Sequence, residues 1–227
     1  MRFKTVKLGV GLMLFGLSQI LAQTNQNNGD FTDNRDNHTY KYVHIGTQVW
    51  MAENLTATKY TDGTAIPNVT IPNNWDTLTS GAVCTYNNTA NLDTINTYGR
   101  LYNWYAGNSG KLCPTGWHLP SDSEWTILTN YLGDKNIVGG KLKETGTAHW
   151  HSPNEGSTNE TSFTALPGGY REYNGSFLYI GNTGYWWSST QTTTTKAYPR
   201  AFINYTRCLY ILNSYKVMGF SVRCLRN

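Results

Sequence analysis

The chain has 227 residues, enough for one domain that buries a hydrophobic core of its own. Charged residues make up only 14% of the sequence and the net charge is +4, without any block of Lys or Arg. The basic footprint of a nucleic-acid-binding protein is therefore missing, and we expect no nucleic-acid partner.

The first 22 residues predict a secretory signal peptide. A basic start is followed by an apolar run from Leu8 to Leu17 and by small residues up to Ala22. The alternative, a buried N-terminal helix, does not account for this order of basic, apolar and small regions. The run is too short to span a membrane, and no later stretch approaches 18 apolar residues. We therefore expect an exported protein, secreted or held at the cell surface, that does not cross the membrane.

The domain itself is expected to occupy 40–227. Residues 23–39 are polar and nearly free of large apolar side chains, which predicts a flexible leader. Apolar and polar residues then alternate over 43–51 on either side of Gly46 and Thr47, which predicts a β-hairpin.

Two short helices are predicted from apolar spacing. Leu101, Trp104 and Tyr105 stand at i, i+3 and i+4, which favours one short helix over 98–106. A weaker helix is predicted over 137–144, where Gly139 and Gly140 interrupt the pattern.

The strongest helix signal begins at Ser121. Ser121 and Glu124 have the spacing of a capping box, and Gly133 supplies a stop. The apolar stripe of this helix is predicted to comprise Trp125, Ile127, Leu128, Tyr131 and Leu132. After residue 145 the pattern changes to short strands and loops and ends in a buried terminal strand over 219–224. Helices in the first half and antiparallel strands in the second predict an α+β fold, with short helices packed on small antiparallel sheets and long loops.

Several motifs carry a family resemblance. "VHIGTQVWMAENL", "YGRLYNWYAG", "CPTGWHLPSDSEW", "GGKLKETG", "FTALPGGYR", "GYWWSST" and "GFSVRCLRN" together resemble the Fibrobacter succinogenes major paralogous domain. "HLPSDSEW" and "GFSVR" are also similar to elements of formylglycine-generating enzymes. The resemblance implies a C-type-lectin-like fold, in which the two ends of the domain meet in one small sheet.

The four cysteines allow three disulfide pairings, and their wide spacing does not favour a zinc site. Export would place them in an oxidising compartment. The fold that the resemblance implies favours Cys113 with Cys224, which would close a loop of about 110 residues and stabilise the domain by about 4–5 kcal/mol. Cys84 and Cys208 are then the remaining pair, unless Cys208 is an unpaired thiol.

We expect neither catalysis nor a resident cofactor; a calcium ion is the alternative. His149 and His151 form an i, i+2 pair without an acidic neighbour, and His118 is interpreted as a partly buried structural residue. A calcium-dependent lectin would carry a carboxylate soon after Trp187, where this chain has serines. Asn159 and Glu160 are the remaining candidate ligands, and an ordinary polar loop explains them more simply.

The segment 198–215 is the predicted binding surface for a protein or glycan. Its mixture of tyrosines with amides, hydroxyls and arginines is typical of antibody loops. It lacks Met, Trp, Lys, Gln and Glu, which asparagine codons mutated at their adenines cannot encode, as in lectin-fold proteins diversified by retroelements. A plain pair of strands with a tyrosine-rich face is the alternative. The candidate ligand-binding residues are Tyr198, Arg200, Phe202, Asn204, Tyr205, Thr206, Arg207, Tyr210, Leu212, Asn213, Ser214 and Tyr215, with Trp187 at the edge.

Overall fold

The computed structural model describes residues 28–227. The predicted signal peptide (1–22) and the first part of the predicted leader (23–27) lie outside this range. Within it, the chain is a mixed α and β structure of short helices and small antiparallel sheets. No helix in this range is long and apolar enough to cross a membrane.

The helices and strands are short. The helices are α1 (Pro72–Trp75), α2 (Leu92–Tyr98), α3 (Trp104–Gly107), α4 (Asp122–Leu132) and α5 (Lys135–Leu142). The strands are β1 (Gly29–Asp33), β2 (His38–Ile45), β3 (Gln48–Met51), β4 (Val83–Cys84), β5 (Leu101–Tyr102), β6 (Trp117–His118), β7 (Tyr170–Arg171), β8 (Phe177–Leu178), β9 (Thr183–Gln191), β10 (Lys196–Ile203), β11 (Tyr210–Ile211), β12 (Ser214–Tyr215) and β13 (Leu225–Arg226).

The two ends of the domain meet in one sheet, with strand order β1-β2-β3-β13-β6. The predicted hairpin is confirmed as β2–β3, and Gly46 takes a positive φ of 62° in its turn. The prediction of a flexible leader up to residue 39 is wrong over β1, which pairs with β2 along its whole length. Polar residues suit this edge strand because one of its faces meets water. The folded domain therefore begins by Gly29, not at residue 40.

A disulfide locks the same sheet. Cys113 and Cys224 are bonded, as predicted, with their Cα atoms 5.9 Å apart and a sequence separation of 111. Cys113 precedes β6 and Cys224 precedes β13, and these strands are neighbours in the sheet. The bond therefore connects the segment that precedes helix α4 with the C-terminal segment.

The terminal segment links the sheets before it reaches β13. Phe220 exchanges backbone hydrogen bonds with Tyr102 of β5, and Gly219 does so with Arg171 of β7. Regular strand pairing is confined to Leu225 and Arg226. The predicted terminal strand over 219–224 is thus buried. It does not form a continuous strand, however, and pairs with several short strands through isolated β-bridges.

Helix α4 begins and ends where the sequence predicts. The Ser121 hydroxyl accepts from the Glu124 amide, the Glu124 carboxylate accepts from the Ser121 amide, and Gly133 has a φ of +118°. Trp125, Leu128 and Leu132 are buried, whereas Ile127 and Tyr131 are exposed. The predicted stripe was therefore too wide.

The prediction of one helix over 98–106 is wrong. Helix α2 ends at Tyr98, Leu101 lies in β5, and only Trp104 to Gly107 is helical. Asn103 caps α3, since its side chain accepts a hydrogen bond from the Ala106 amide. The i, i+3, i+4 spacing instead reflects two short elements that both face the core, in which Leu101 and Trp104 are buried.

Buried tyrosines make the fold sensitive to alkali. Burial raises the pKa of both Tyr40 and Tyr185 to about 12. Above pH 10 the unfolded chain loses these protons while the folded chain keeps them, so stability is complete below pH 10 and falls as the pH rises towards 12.

Tyr40→Phe is expected to reduce this loss by about 1.4 kcal/mol per pH unit between pH 10.5 and 12. Urea unfolding of the wild type and the variant across this range measures the difference. Equal slopes for the two proteins would contradict the assignment.

Candidate binding surface

Strand β10 is the backbone of the predicted surface. It pairs with β9 on one side and with the returning strands β11 and β12 on the other. Lys196 lies opposite Tyr215, and Arg200 lies opposite Ile211. The segment that was predicted to bind ligand is therefore one long strand and its broken return strand, joined by a loop over 204–209.

Four predicted contact residues are buried. Trp187 and Phe202 are fully buried: the Trp187 indole donates to the Tyr102 carbonyl, and the Phe202 ring packs 5.1 Å from Trp186. The prediction that Trp187 borders the surface is wrong, because both tryptophans of β9 face the interior.

Arg200 and Asn204 are also interior. The Arg200 Nη2 atom donates to the Asp122 carboxylate, and the Asn204 side chain donates to the backbone carbonyls of His151 and Ser152. Burial lowers the pKa of Arg200. These two polar side chains hold β10 and the following loop in place, so neither offers a contact to a ligand.

The remaining predicted residues reach solvent in two groups. One group is the loop, where Tyr205 is 66% exposed and Arg207 is also exposed. The other is the return strand, where Tyr215 is 46% exposed; Ile211, which the sequence reasoning missed, is 49% exposed. Asn213 is exposed, and the partly exposed members are Tyr198, Thr206, Tyr210, Leu212 and Ser214. Tyr205 and Tyr215 lie towards opposite ends of β10, on the order of 20 Å apart at the usual rise per residue of a strand, whereas Ile211 lies between them, beside Arg200.

The loop is held against helix α5 by the "GGK" motif. A β-carbon on Gly139 would overlap the Cys208 carbonyl, and one on Gly140 would overlap the Gly156 carbonyl. The Gly140 amide donates to the Arg207 carbonyl at 3.0 Å. The two glycines, which the sequence suggested only as a weakness of the helix, thus let the loop backbone lie directly on it.

The buried side chain of Lys143 holds the loop in place through hydrogen bonds. Its side chain is fully buried, and Nζ donates to the carbonyls of Glu155, Ile203 and Thr206 at 2.9–3.1 Å. Burial lowers the pKa of this amine to about 8. An ammonium with three carbonyl acceptors fixes the chain on both sides of Tyr205, so that Tyr205 is exposed on an ordered backbone.

Lys143→Met is expected to release the loop, because the carbonyls of Glu155, Ile203 and Thr206 would lose the hydrogen bonds from this buried ammonium at a cost of about 2–3 kcal/mol. Amide hydrogen exchange should accelerate at 204–209. Lys141→Met is the matched control, since Lys141 lies two residues earlier, in the last turn of α5, and its ammonium pairs with Glu160 and not with the loop. Unchanged exchange in the Lys143 variant would show that the three bonds do not hold the loop.

The return strand borders a pocket that the sequence reasoning missed. Tyr215 lines it together with Tyr105 of α3 and Tyr173, which follows β7, and the volume is about 470 Å³. The rings of Tyr173 and Tyr215 stand 5.8 Å apart in an edge-to-face arrangement. The other lining residues are Asp76, Thr77, Leu78, Thr79, Thr195 and Val217. These residues are far apart in sequence, so no local pattern could have grouped them.

Comparison with known families identifies the chain. The sequence model of the Fibrobacter succinogenes major domain matches residues 43–226. The chain belongs to the Fibrobacter succinogenes major domain family. Searches of curated proteins and of solved structures found no match. Strand β1 lies before the matched region, although it completes the first sheet of this Fibrobacter succinogenes major domain.

The two remaining cysteines of this Fibrobacter succinogenes major domain do not form a disulfide. Cys84 is buried in β4, and Cys208 lies half-buried in the loop with its Sγ atom 3.5 Å from the Asn136 carbonyl. The predicted pairing of Cys84 with Cys208 is therefore wrong. Burial raises the pKa of the Cys84 thiol to about 11, which keeps it protonated.

The histidines weighed as catalytic candidates all have structural partners. His149 lies 2.8 Å from the Glu144 carboxylate, an acidic partner that the sequence reasoning did not identify. His151 contacts the Asn182 side chain at 3.2 Å. His118 lies between Glu124 and the side chain of Asn227, as expected of a partly buried structural histidine.

The two residues weighed as calcium ligands are also engaged. Asn159 accepts from the Thr164 amide and donates to the Thr164 hydroxyl, and Glu160 pairs with Lys141 at 3.0 Å. Within residues 28–227 no three acidic, cysteine or histidine side chains are grouped as metal ligands would be.

Proposed function

We propose that this Fibrobacter succinogenes major domain is an exported, non-catalytic binding protein that presents the exposed residues of 198–215 to a protein or glycan target. The observation that carries the proposal is the exposure of Tyr205 and Arg207 on a loop that Lys143 and Gly140 hold in place. Exposed tyrosine and arginine on an ordered backbone bind at a low cost in conformational entropy.

The rest of the molecule supports a frame for binding. The two ends of the domain meet in one sheet, and a disulfide bonds Cys113, which precedes β6 of this sheet, to Cys224 near the end of the chain; a C-type-lectin-like fold implies this arrangement. A disulfide also supports export, because such bonds persist in oxidising compartments. The candidate contact residues that are buried help to hold the domain together, and those that are exposed form the proposed binding surface.

The state of the cysteines supports a non-catalytic function. Cysteine chemistry of the formylglycine-generating type needs reactive thiols, whereas Cys113 and Cys224 are bonded to each other and Cys84 is buried with a raised pKa. Cys208 is a single thiol without a cysteine partner in the described part of the chain.

Retroelement diversification of the surface is part of the proposal. It would act on a segment whose buried positions, such as Phe202 and Leu209, tolerate little change, while Tyr205, Arg207 and Tyr215 face solvent. Sequencing the locus should reveal a near-identical repeat of this segment beside a reverse transcriptase gene, with differences concentrated at the exposed positions. A locus without such a repeat would leave an ordinary binding surface.

The binding function is tested by removing the loop contacts. The purified chain is applied to an array of saccharides and short peptides, in parallel with Tyr205→Ala/Arg207→Ala and with Tyr131→Ala. Tyr131 is a matched control because its side chain is 65% exposed, on helix α4. We expect the double variant to lose about tenfold or more in affinity and the control to match the wild type. Ligands that bind all three proteins equally would refute the assignment of the loop residues Tyr205 and Arg207 to the binding surface.

A further inference from the structure

The tyrosine pocket beside β12 has the chemistry of a site for hydroxylated rings. Tyr173 is 50% exposed and Tyr215 is 46% exposed, so both rings offer surface to a ligand while their edge-to-face contact fixes their relative orientation. An aromatic face is electron-rich and attracts the positively polarised C–H bonds of a sugar ring. The pocket volume of about 470 Å³ is within the range of small-molecule sites.

Polar groups complete the lining. The Asp76 carboxylate lies in the pocket wall, is exposed, and has no ion-pair partner anywhere in 28–227. Thr77, Thr79 and Thr195 add hydroxyl groups. A carboxylate and several hydroxyls beside aromatic faces match a ligand that has many hydroxyl groups on an apolar ring.

The charges around the pocket favour a neutral ligand. The Lys196 ammonium lies 4.6 Å from the centre of the Tyr215 ring, so this ring already has a cation nearby. Lys196 and Asp76 carry opposite charges, so they offset each other and the surroundings of the pocket attract neither a cation nor an anion selectively.

Tyr215 is held in position before any ligand arrives. Its neighbour Lys216 is buried and donates from Nζ to the Gln191 side chain and the Thr194 carbonyl. The Lys216 amide and carbonyl bond to Thr195 and to Trp104. The ring therefore projects from an anchored backbone, which lowers the entropy lost on binding.

We infer that the pocket formed by Tyr105, Tyr173 and Tyr215 binds a neutral saccharide. This inference rests on the proposed binding function and names the ligand class for the end of the surface that lies away from the loop. The aromatic rings contact the faces of the sugar, and Asp76 accepts hydrogen bonds from its hydroxyl groups.

The test is calorimetric titration of the purified chain with neutral tetra- to hexasaccharides of glucose, xylose, mannose and N-acetylglucosamine. At least one is expected to bind, with an affinity that falls about tenfold or more in Tyr173→Ala and in Tyr215→Ala. Tyr215→Phe, which keeps the ring, and Tyr131→Ala, which alters α4, should both retain binding. Asp76→Asn is expected to weaken binding less than the loss of either ring.

Two outcomes would overturn the inference. The first is that no neutral oligosaccharide binds at millimolar concentration to a chain that circular dichroism shows to be folded. The second is that binding persists in Tyr173→Ala and Tyr215→Ala. Loss of ligand binding in Tyr205→Ala/Arg207→Ala bears on the loop instead, so a failure of the sugar site and a failure of the proposed function are distinguished by which pair of substitutions matters.

Discussion

Cys113→Ala/Cys224→Ala is expected to lower the free energy of unfolding by about 4–5 kcal/mol, because the disulfide closes a very long loop in the unfolded chain. Both cysteines are buried where β6 and β13 lie side by side. For a domain of this size the loss corresponds to a fall in melting temperature of roughly 10–18 °C. Thermal and urea unfolding of the wild type and the variant measure it.

Cys208→Ser is the control for this prediction. Its thiol is unpaired and half-buried, so its replacement is expected to change stability little. Thiol titration of the unfolded wild type should detect Cys84 and Cys208 alone. A double variant as stable as Cys208→Ser would show that the disulfide contributes little, and the absence of free thiols would show that Cys84 and Cys208 pair after all.

Arg223→Ala is expected to destabilise the domain by about 3–5 kcal/mol, since it leaves the Phe163 and Thr164 carbonyls without their donor and creates a cavity where the buried side chain lay. The Arg223 guanidinium is fully buried and donates to the Asn54 side chain and to the carbonyls of Phe163 and Thr164. It also lies 4.3 Å from the Phe163 ring. The side chain of Arg223 thereby connects the terminal segment 219–224 to Asn54 and to residues 163–164.

Two further variants isolate the part played by the hydrogen bonds. Arg223→Lys keeps the charge but has fewer donors, so its loss of stability should be smaller than that of Arg223→Ala. Arg226→Ala removes an exposed arginine from the same end of the chain and is expected to change stability little. Urea unfolding of the three variants ranks them; equal losses in Arg223→Ala and Arg226→Ala would disprove the role assigned to the buried guanidinium.

The sequence predicts the parts of the fold that depend on neighbouring residues. The β2–β3 turn at Gly46 and the capping box at Ser121 each lie within a few residues, and their geometry is determined locally. The Cys113–Cys224 bond is not local, and it was predicted only through the family resemblance. Strand β1 was missed because polar residues at a sheet edge have the composition of a leader.

The candidate surface was harder to predict, because burial depends on partners that are distant in sequence. Arg200 is a residue type that is common in binding surfaces, but its guanidinium is buried and pairs with the Asp122 carboxylate. Trp187 was predicted to border the surface, but its indole N–H donates to the carbonyl of Tyr102 in the core. No sequence pattern indicates that Tyr173 belongs to the surface, because only the fold places its ring beside that of Tyr215.

The position of Tyr205 and Tyr215 towards opposite ends of β10 affects how ligands of different sizes would be bound. A stiff strand keeps Tyr205 and Tyr215 at a fixed separation, so a compact molecule would occupy one end and leave the other free. A long polymer or a broad macromolecular surface would engage both ends, and the second contact would then form at a high effective concentration. Avidity within a single domain would thus favour extended targets over their fragments.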